Sequence, residues 1–295
     1  MKISVIIPTF NGAHKILTVL HALERQSYQC FETIIVVDGS TDHTVALLET
    51  ASVALSPFRI VVQENKGRAA VRNRGAREAN GELLIFFDDD MRPEPDCVKQ
   101  HLLHHEQVPN SIGVGITPED PARCITDVHR YKAHLSYKWT RPLVNVQGPL
   151  PEPLVFLAAA NFSVPNKLFL ELGGFNEQLR DAEDQDLALR AVQANVPVYF
   201  LEQALSWHDD FFTLGRFIYR QREYQANHRL LAQLNPAYAP PPATTPGKGK
   251  QALLALFRHP WWIKAIDGAN PFSLLPKKLR YKLYDVVVYA NTLKS

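Results

Sequence analysis

The chain has 295 residues, of which 46% are hydrophobic and 21% charged, with a formal net charge of +2. That is ample for one large core or two small ones, and it excludes a disordered, fibrous or strongly nucleic-acid-seeking chain. Cys30, Cys97 and Cys124 are odd in number and lack metal-ligand or redox spacing, so they read as reduced thiols in a cytoplasmic protein. The apolar run Ile3–Ile7 is too short for a signal peptide, and no window approaches the roughly 18 apolar residues of a spanning helix.

In chain order, Ile3 to Ile7 reads as a buried strand, and Pro8-Thr9-Phe10-Asn11-Gly12 as a turn. Ile16, Leu17, Leu20 and Leu23 then recur at helical spacing. A second strand, Thr33 to Val37, ends at Asp38-Gly39-Ser40, and Thr41 or Asp42 caps the helix bearing Val45, Leu47 and Leu48. Arg59 to Val62 is a third strand. Gly67 to Ala79 is helical and stops at Asn80-Gly81. Leu83 to Phe87 is a wholly apolar fourth strand running into Asp88-Asp89-Asp90. Further on, Pro95 to Gln107 reads as a helix, Ile112 to Ile116 as a strand, and residues 117–153 have no regular pattern. A strand over Leu154 to Ala160 leads into Asn161-Phe162-Ser163. Lys167 to Leu172 and Glu183 to Ala194 are helical, and Val196 to Leu201 is a strand before the loop to Trp207-His208-Asp209. A basic helix follows over 212–234, and the Pro- and Thr-rich stretch 235–250 reads as a linker.

Strands alternating with helices predict a mainly parallel central sheet with helices on both faces, whose ligands bind beyond the carboxyl ends of the strands. Thr9, Asn11, Asp38, Ser40, Asp88 and Asp90 all fall at such ends. Ionised carboxylates terminating a buried strand need a cation or strong donors. Hard oxygen ligands suit Mg2+ or Mn2+, which commonly carry phosphate oxygens as co-ligands. The residues therefore point to a metal-dependent enzyme acting on a nucleotide diphosphate, with a solvated acidic turn as the plain alternative.

Other segments have two readings each. Asp38 fits a contact to base or ribose, or simply a turn. Arg68 and Arg72 share a helical face that suits either a diphosphate or solvent. The glycines in that helix weaken it and fit close approach to a strand or ligand. The acids of Glu183-Asp184-Gln185-Asp186 suit a helix N-terminus on electrostatic grounds, and equally a general base. His208 is a metal ligand or an ordinary surface histidine.

Taken in order, these segments resemble the family 2 glycosyltransferases of the GT-A fold over roughly residues 3–225. The likeness rests on Val5-Ile6-Ile7-Pro8-Thr9-Phe10-Asn11, Val36-Val37-Asp38-Gly39-Ser40-Thr41-Asp42, Asn65-Lys66-Gly67 with Ala70-Val71-Arg72-Asn73-Arg74-Gly75, and Phe87-Asp88-Asp89-Asp90. It continues through Asn161-Phe162-Ser163, Gly173-Gly174-Phe175-Asn176-Glu177, Glu183-Asp184-Gln185-Asp186-Leu187 and His208. The resemblance implies inverting transfer of a sugar from a nucleotide diphosphate sugar to a hydroxyl of a sugar or lipid-linked acceptor, in polysaccharide or glycolipid assembly. By it, Pro8, Thr9, Asn11 and Asp38 would line the nucleotide site, with Arg72, Asp88 and Asp89. Asp90, Asp88 and His208 would hold Mn2+ or Mg2+. Asp184 would be the base, supported by Glu183, and Asn161 and Asp186 would face the acceptor. Val37 stands where many relatives have an acid before the Asp-Gly-Ser turn, and Met91 where many have one after the metal-binding pair. A nucleotidyltransferase, or a non-catalytic nucleotide-sugar-binding module, is the alternative. No Gly-rich basic loop follows the first strand, which speaks against the former.

The expected organisation is a GT-A domain over 1–234, with a nucleotide-binding half at 1–110 and an acceptor-side half at 111–234. The linker at 235–250 and a basic C-terminal extension at 251–295 would follow. Residues beyond 245 carry a net charge of +7 and the rest −5. Leu279, Leu283, Val286, Ala290 and Leu293 fall on one helical stripe beneath Lys277, Lys278, Arg280 and Lys282, with Trp261-Trp262 upstream. That pattern suits contact with an anionic membrane at its cytoplasmic face, or packing of the stripe on the domain or on a second copy as a homodimer. Nucleic acid is not an expected partner.

Overall fold

A computed structural model describes residues 1–210, 212–236, 238 and 247–292. Most of the linker and the end of the C-terminal stripe, Leu293, lie outside the described residues. The chain divides into two compact units, one made of 1–120 and 137–209, the other of 121–136 and 210–295.

The first unit is built on an eight-stranded sheet of order β3-β2-β1-β4-β7-β6-β8-β5. Its strands are β1 (Ile3–Thr9), β2 (Phe31–Asp38), β3 (Phe58–Gln63), β4 (Leu83–Phe87), β5 (Met91–Pro93), β6 (Ile112–Ile116), β7 (Asn161–Pro165) and β8 (Val198–His208). β3, β2, β1 and β4 pair in parallel, as expected from the alternation with helices. The sheet as a whole is mixed, because β7 runs antiparallel to β4 and β6, and β5 antiparallel to β8.

Alternate residues of each central strand feed cores on opposite faces. On one face Ile3, Val5 and Ile7 of β1 meet Leu83, Ile85 and Phe87 of β4, covered by α1 (Ile16–Glu24) and α4 (Cys97–Gln107). On the other, Ile6, Leu84 and Phe86 pack with Phe162, Phe169 and Phe175 beneath α3 (Arg68–Glu78), α6 (Asn166–Glu171) and α7 (Glu183–Gln193). Phe86 stacks on Phe162 at 4.7 Å between ring centroids. α3 lies close to the sheet because Gly75 has no side chain: a Cβ there would sit 2.3 Å from Ile6 Cγ2. α2 (Thr44–Thr50) begins two residues after Asp42, whose Oδ1 accepts from the Thr44 amide at 3.0 Å.

Two strand expectations need correction. Residues 155–160 are irregular after a short 3-10 turn at Glu152–Leu154, and the strand is instead Asn161–Pro165. Its polar side chains looked like a strand end in the sequence. Their partners are His101 and His105 of α4, some sixty positions away in the chain. β8 runs to His208, so Trp207-His208 ends a strand and follows no loop.

The second unit groups α8 (Leu214–Leu234), α9 (Lys248–Phe257), α10 (Trp261–Asp267) and α11 (Lys277–Thr292) with residues 121–136, the larger part of α5 (Asp127–Thr140). Its core collects Tyr131, Leu214, Ile218, Leu254, Phe257, Phe272, Tyr281, Tyr284 and Val287. Asp127 accepts from Arg280 Nη2 at 2.8 Å and from the Tyr284 hydroxyl at 2.6 Å, and Tyr131 OH donates to Asp285 at 2.6 Å. α11 buries Tyr281, Tyr284, Val287 and Ala290, whereas Leu279 is 47% exposed. Of the stripe read in the sequence, Ala290 is buried and Leu283 and Val286 pack against this core, with Tyr281, Tyr284 and Val287 filling it beside them.

Candidate active site

The strand ends of the first unit bring together two linked groups of charges. The first centres on Arg72, whose fixed, buried guanidinium lies 3% exposed on α3. Its Nη1 donates to Glu183 Oε1 at 2.6 Å and its Nη2 to Asp88 Oδ1 at 2.5 Å. The end of β4 is thereby tied to the first turn of α7. Asp184 is next in that turn, accepting from the Gln185 amide at 2.8 Å. Burial first, and then the Glu183 carboxylate beside it, push the Asp184 carboxyl up to about 7. A carboxyl poised near neutrality and held by charged neighbours suits proton transfer. Ala182, immediately before α7, adopts φ 67°, a left-handed conformation costly for a residue with a Cβ, and it sets the angle at which the helix starts.

The second group surrounds Asp89 and Asp90. Lys15 Nζ lies 2.7 Å from Asp89 Oδ1 and 3.5 Å from Asp90 Oδ2. Thr9 Oγ1 donates to Asp89 Oδ2 at 2.6 Å. Burial pushes Asp89 up to about 6 despite the opposing pull of Lys15. Lys15 itself is raised: burial would lower it, but Asp89, Asp90 and Asp88 together outweigh that. Pairing of Met91 with His208 across β5 and β8 sets the histidine beside Asp90, with Nε2 3.5 Å from Asp90 Oδ1. The Asp209 amide donates to the Asp90 carbonyl at 2.9 Å, and Arg92 grips Asp209 and Asp120 at 2.6 and 2.7 Å, which fixes this corner.

Asp90 Oδ1 and His208 Nε2, 3.5 Å apart, are one oxygen and one nitrogen ligand atom side by side, a pair that suits Mn2+ and, less well, Mg2+. Among the described residues no group of three or more His, Cys, Asp or Glu side chains could cage an ion by itself. Of the three acids, Asp88 has the most open side chain, at 32% exposure.

Several residues expected to touch ligand are spent on the protein itself. Asp38 is buried, accepting from Gln63 Nε2 and the Lys66 amide through Oδ1, at 2.7 and 2.9 Å, and from the Gly67 amide through Oδ2 at 2.8 Å. It shapes the loop leading into α3. Thr9 is buried and donates to Asp89. Arg72 holds Glu183 and Asp88 through its two Nη atoms, while its buried Nε has no hydrogen-bond partner among the described residues. Pro8 is a buried member of β1. Asn11 clasps the turn after β2, its Oδ1 accepting from the Thr41 amide at 2.7 Å.

Asn161 and Asp186, expected on the acceptor side, both make hydrogen bonds or ion pairs within the protein. Asn161 is fully buried, its Nδ2 donating to the Ala204 carbonyl at 2.8 Å and its Oδ1 lying 2.9 Å from His101 Nε2. Burial holds His101 down at about 4, so this pair is a neutral polar link inside the core. Asp186 pairs with Arg190 at 2.7 Å, and that arginine donates to the carbonyls of Leu172 and Gly174. It fastens a turn. Lys15 and Phe10 went unread in the sequence. Lys15 looked like an ordinary polar residue before α1. Phe10, 49% exposed directly after β1, had the weak signal of an aromatic in a turn.

The sheet order and this rim of acids define a GT-A nucleotide-sugar transferase fold. Residues 4–169 match the family described as glycosyl transferase family 2, more than half of the chain, and the chain belongs to that family. An uncharacterized glycosyltransferase of Haemophilus influenzae is 27% identical over 65% of this chain and 62% of its own length. The amylovoran biosynthesis glycosyltransferase AmsB of Erwinia amylovora is 36% identical over 35% of each chain. The matched stretches thus span between about a third and two thirds of these two relatives. S. aureus TarS 1–349 in complex with UDP-GlcNAc superposes with a TM-score of 0.57 at 18% identity, covering 99% of this chain and 90% of that one. GalNAc-T7 with UDP, GalNAc and Mn2+ gives 0.58 at 16%, covering 79% and 48%. Both show the fold.

Proposed function

We propose that this chain transfers a sugar from a nucleotide diphosphate sugar to an acceptor hydroxyl with inversion at the anomeric carbon. The single observation that carries the reading is the place of Asp184 in the first turn of α7, next to Glu183, where Arg72 ties that turn to the end of β4; burial and Glu183 raise its carboxyl. As the acceptor oxygen attacks the anomeric carbon from the side opposite the diphosphate, Asp184 takes its proton. Glu183 holds Arg72 and keeps Asp184 basic by like-charge repulsion. Asp88, the most open acid of the rim, accepts from the donor's ribose. Phe10 offers an exposed ring beside the end of β1 for a base to stack on. A divalent ion held by Asp90 and His208 would offset the charge on the departing diphosphate.

Support for the donor class comes from the UDP-GlcNAc and UDP complexes of TarS, and support for a polysaccharide setting from the name of AmsB. The acceptor in this reading is a growing glycan or a lipid-linked sugar. A panel of nucleotide sugars assayed for release of the nucleotide diphosphate, with Mn2+ and with Mg2+, tests it. At least one sugar nucleotide should turn over. Release of pyrophosphate from nucleoside triphosphates instead would establish the nucleotidyltransferase alternative.

A further inference from the structure

The core of the second unit leaves several large apolar side chains outside it. α9 buries Leu254 and Phe257 yet shows Leu256 at 60% exposure, α10 opens on Trp261 at 53%, and the turn before α11 projects Leu274 at 97%. Trp262 links the three segments that carry them. Its ring lies 4.8 Å from that of Trp261 and stacks at 5.4 Å on Phe272, two residues before Leu274, while its Nε1 donates to the Leu256 carbonyl at 3.0 Å. The exposed lysines Lys264, Lys277 and Lys278 stand on α10 and α11. The two acids of 247–292 each accept a hydrogen bond within the unit, Asp267 from the Leu214 amide and Asp285 from the Tyr131 hydroxyl, both at 2.6 Å, and stay exposed, so the lysines and arginines of 247–292 outnumber them.

An apolar edge with two tryptophans and a one-sign collar of lysines is the chemistry of the lipid headgroup region. Two copies of this chain meeting edge to edge would set lysine against lysine, whereas anionic lipid complements the charge. Among the described residues no helix is long and apolar enough to cross a membrane, so contact would be lateral. We propose that this edge of the second unit docks on an anionic membrane surface. Trp261, Leu256 and Leu274 enter the headgroup layer, and Lys264, Lys277 and Lys278 meet lipid phosphates. Trp261, Lys277 and Lys278 belong to the basic and aromatic pattern already visible in the sequence, whereas Leu256, Leu274 and Lys264 do not. The contact stands whatever reaction the first unit performs.

Co-sedimentation of the full chain with phosphatidylcholine vesicles, and with vesicles containing phosphatidylglycerol, tests the proposal. Wild-type protein should pellet with the anionic vesicles and be released by high salt. Trp261→Ser combined with Leu274→Ser should weaken binding by on the order of tenfold, as should Lys277→Gln with Lys278→Gln. Both variants should keep the wild-type melting temperature and UDP affinity, since neither pair lies in the core. No binding of wild-type protein to anionic vesicles overturns the proposal, and so does undiminished binding by both variants. A wild-type dimer in light scattering that Leu274→Ser converts to monomer, without vesicle binding, would assign the edge to a second copy and also overturn it.

Discussion

At the residue scale, one guanidinium organises the proposed chemistry. Arg72 pairs with two acids while buried, and burying it without partners would be prohibitive, so the three side chains are interdependent. Removing Glu183 takes away the like charge beside Asp184 and frees Arg72 to attract it, and both effects lower the Asp184 pKa. Because the base works ionised, kcat of the wild type should fall as pH drops below about 7, and Glu183→Gln should move that acid limb to lower pH. A pH–rate profile for the two proteins checks this. The same group bears on stability. Its folded pKa is raised above the ordinary 3.8, so its stabilising contribution is present below that value and is lost as pH rises through about 7. Lys15 makes a second residue-scale prediction. It already neutralises part of the rim that would receive a divalent ion, so Lys15→Met should tighten Mn2+ binding, by about tenfold or 1.4 kcal/mol, as read by calorimetry. Weaker binding would show instead that the ammonium assists the ion.

At the element scale, α3 depends on its closeness to β1. A methyl group at position 75 would collide with Ile6, which is itself packed on both sides, so Gly75→Ala should cost about 1–3 kcal/mol in urea unfolding. The sequence hinted at this, since glycine in a helix interior is costly unless something must come near. Strand–helix alternation, the four parallel strands and the acids at the end of β4 were all legible, because each is a local pattern. The antiparallel β7 was not, because Asn161 and Ser163 are satisfied by histidines on α4. The partners of Asn161 on α4, and those of Asp38 in the loop before α3, were equally unreadable. In both cases a polar side chain at a strand end serves a distant or unpatterned partner. His208 is the converse: only the pairing of β5 with β8 places it next to Asp90.

At the scale of the whole molecule, the two units differ in their chemistry. The first holds the rim of acids and the raised carboxyl. The second is an aromatic helical assembly with an exposed apolar edge and a positive collar. Family membership rests on residues 4–169, which lie in the first unit apart from 121–136. Loss of the ion-binding corner should act on binding itself: Asp90→Ala should abolish the gain in UDP affinity that Mn2+ gives the wild type, as measured by calorimetry. Asp184 is different, because it is required only while the proton moves. The most direct test therefore sets turnover against nucleotide binding in Asp184→Asn. Sugar transfer should fall by about 100- to 10,000-fold while UDP affinity stays within about twofold. A variant that keeps more than about a tenth of wild-type turnover would contradict Asp184 as the base and with it the proposed mechanism.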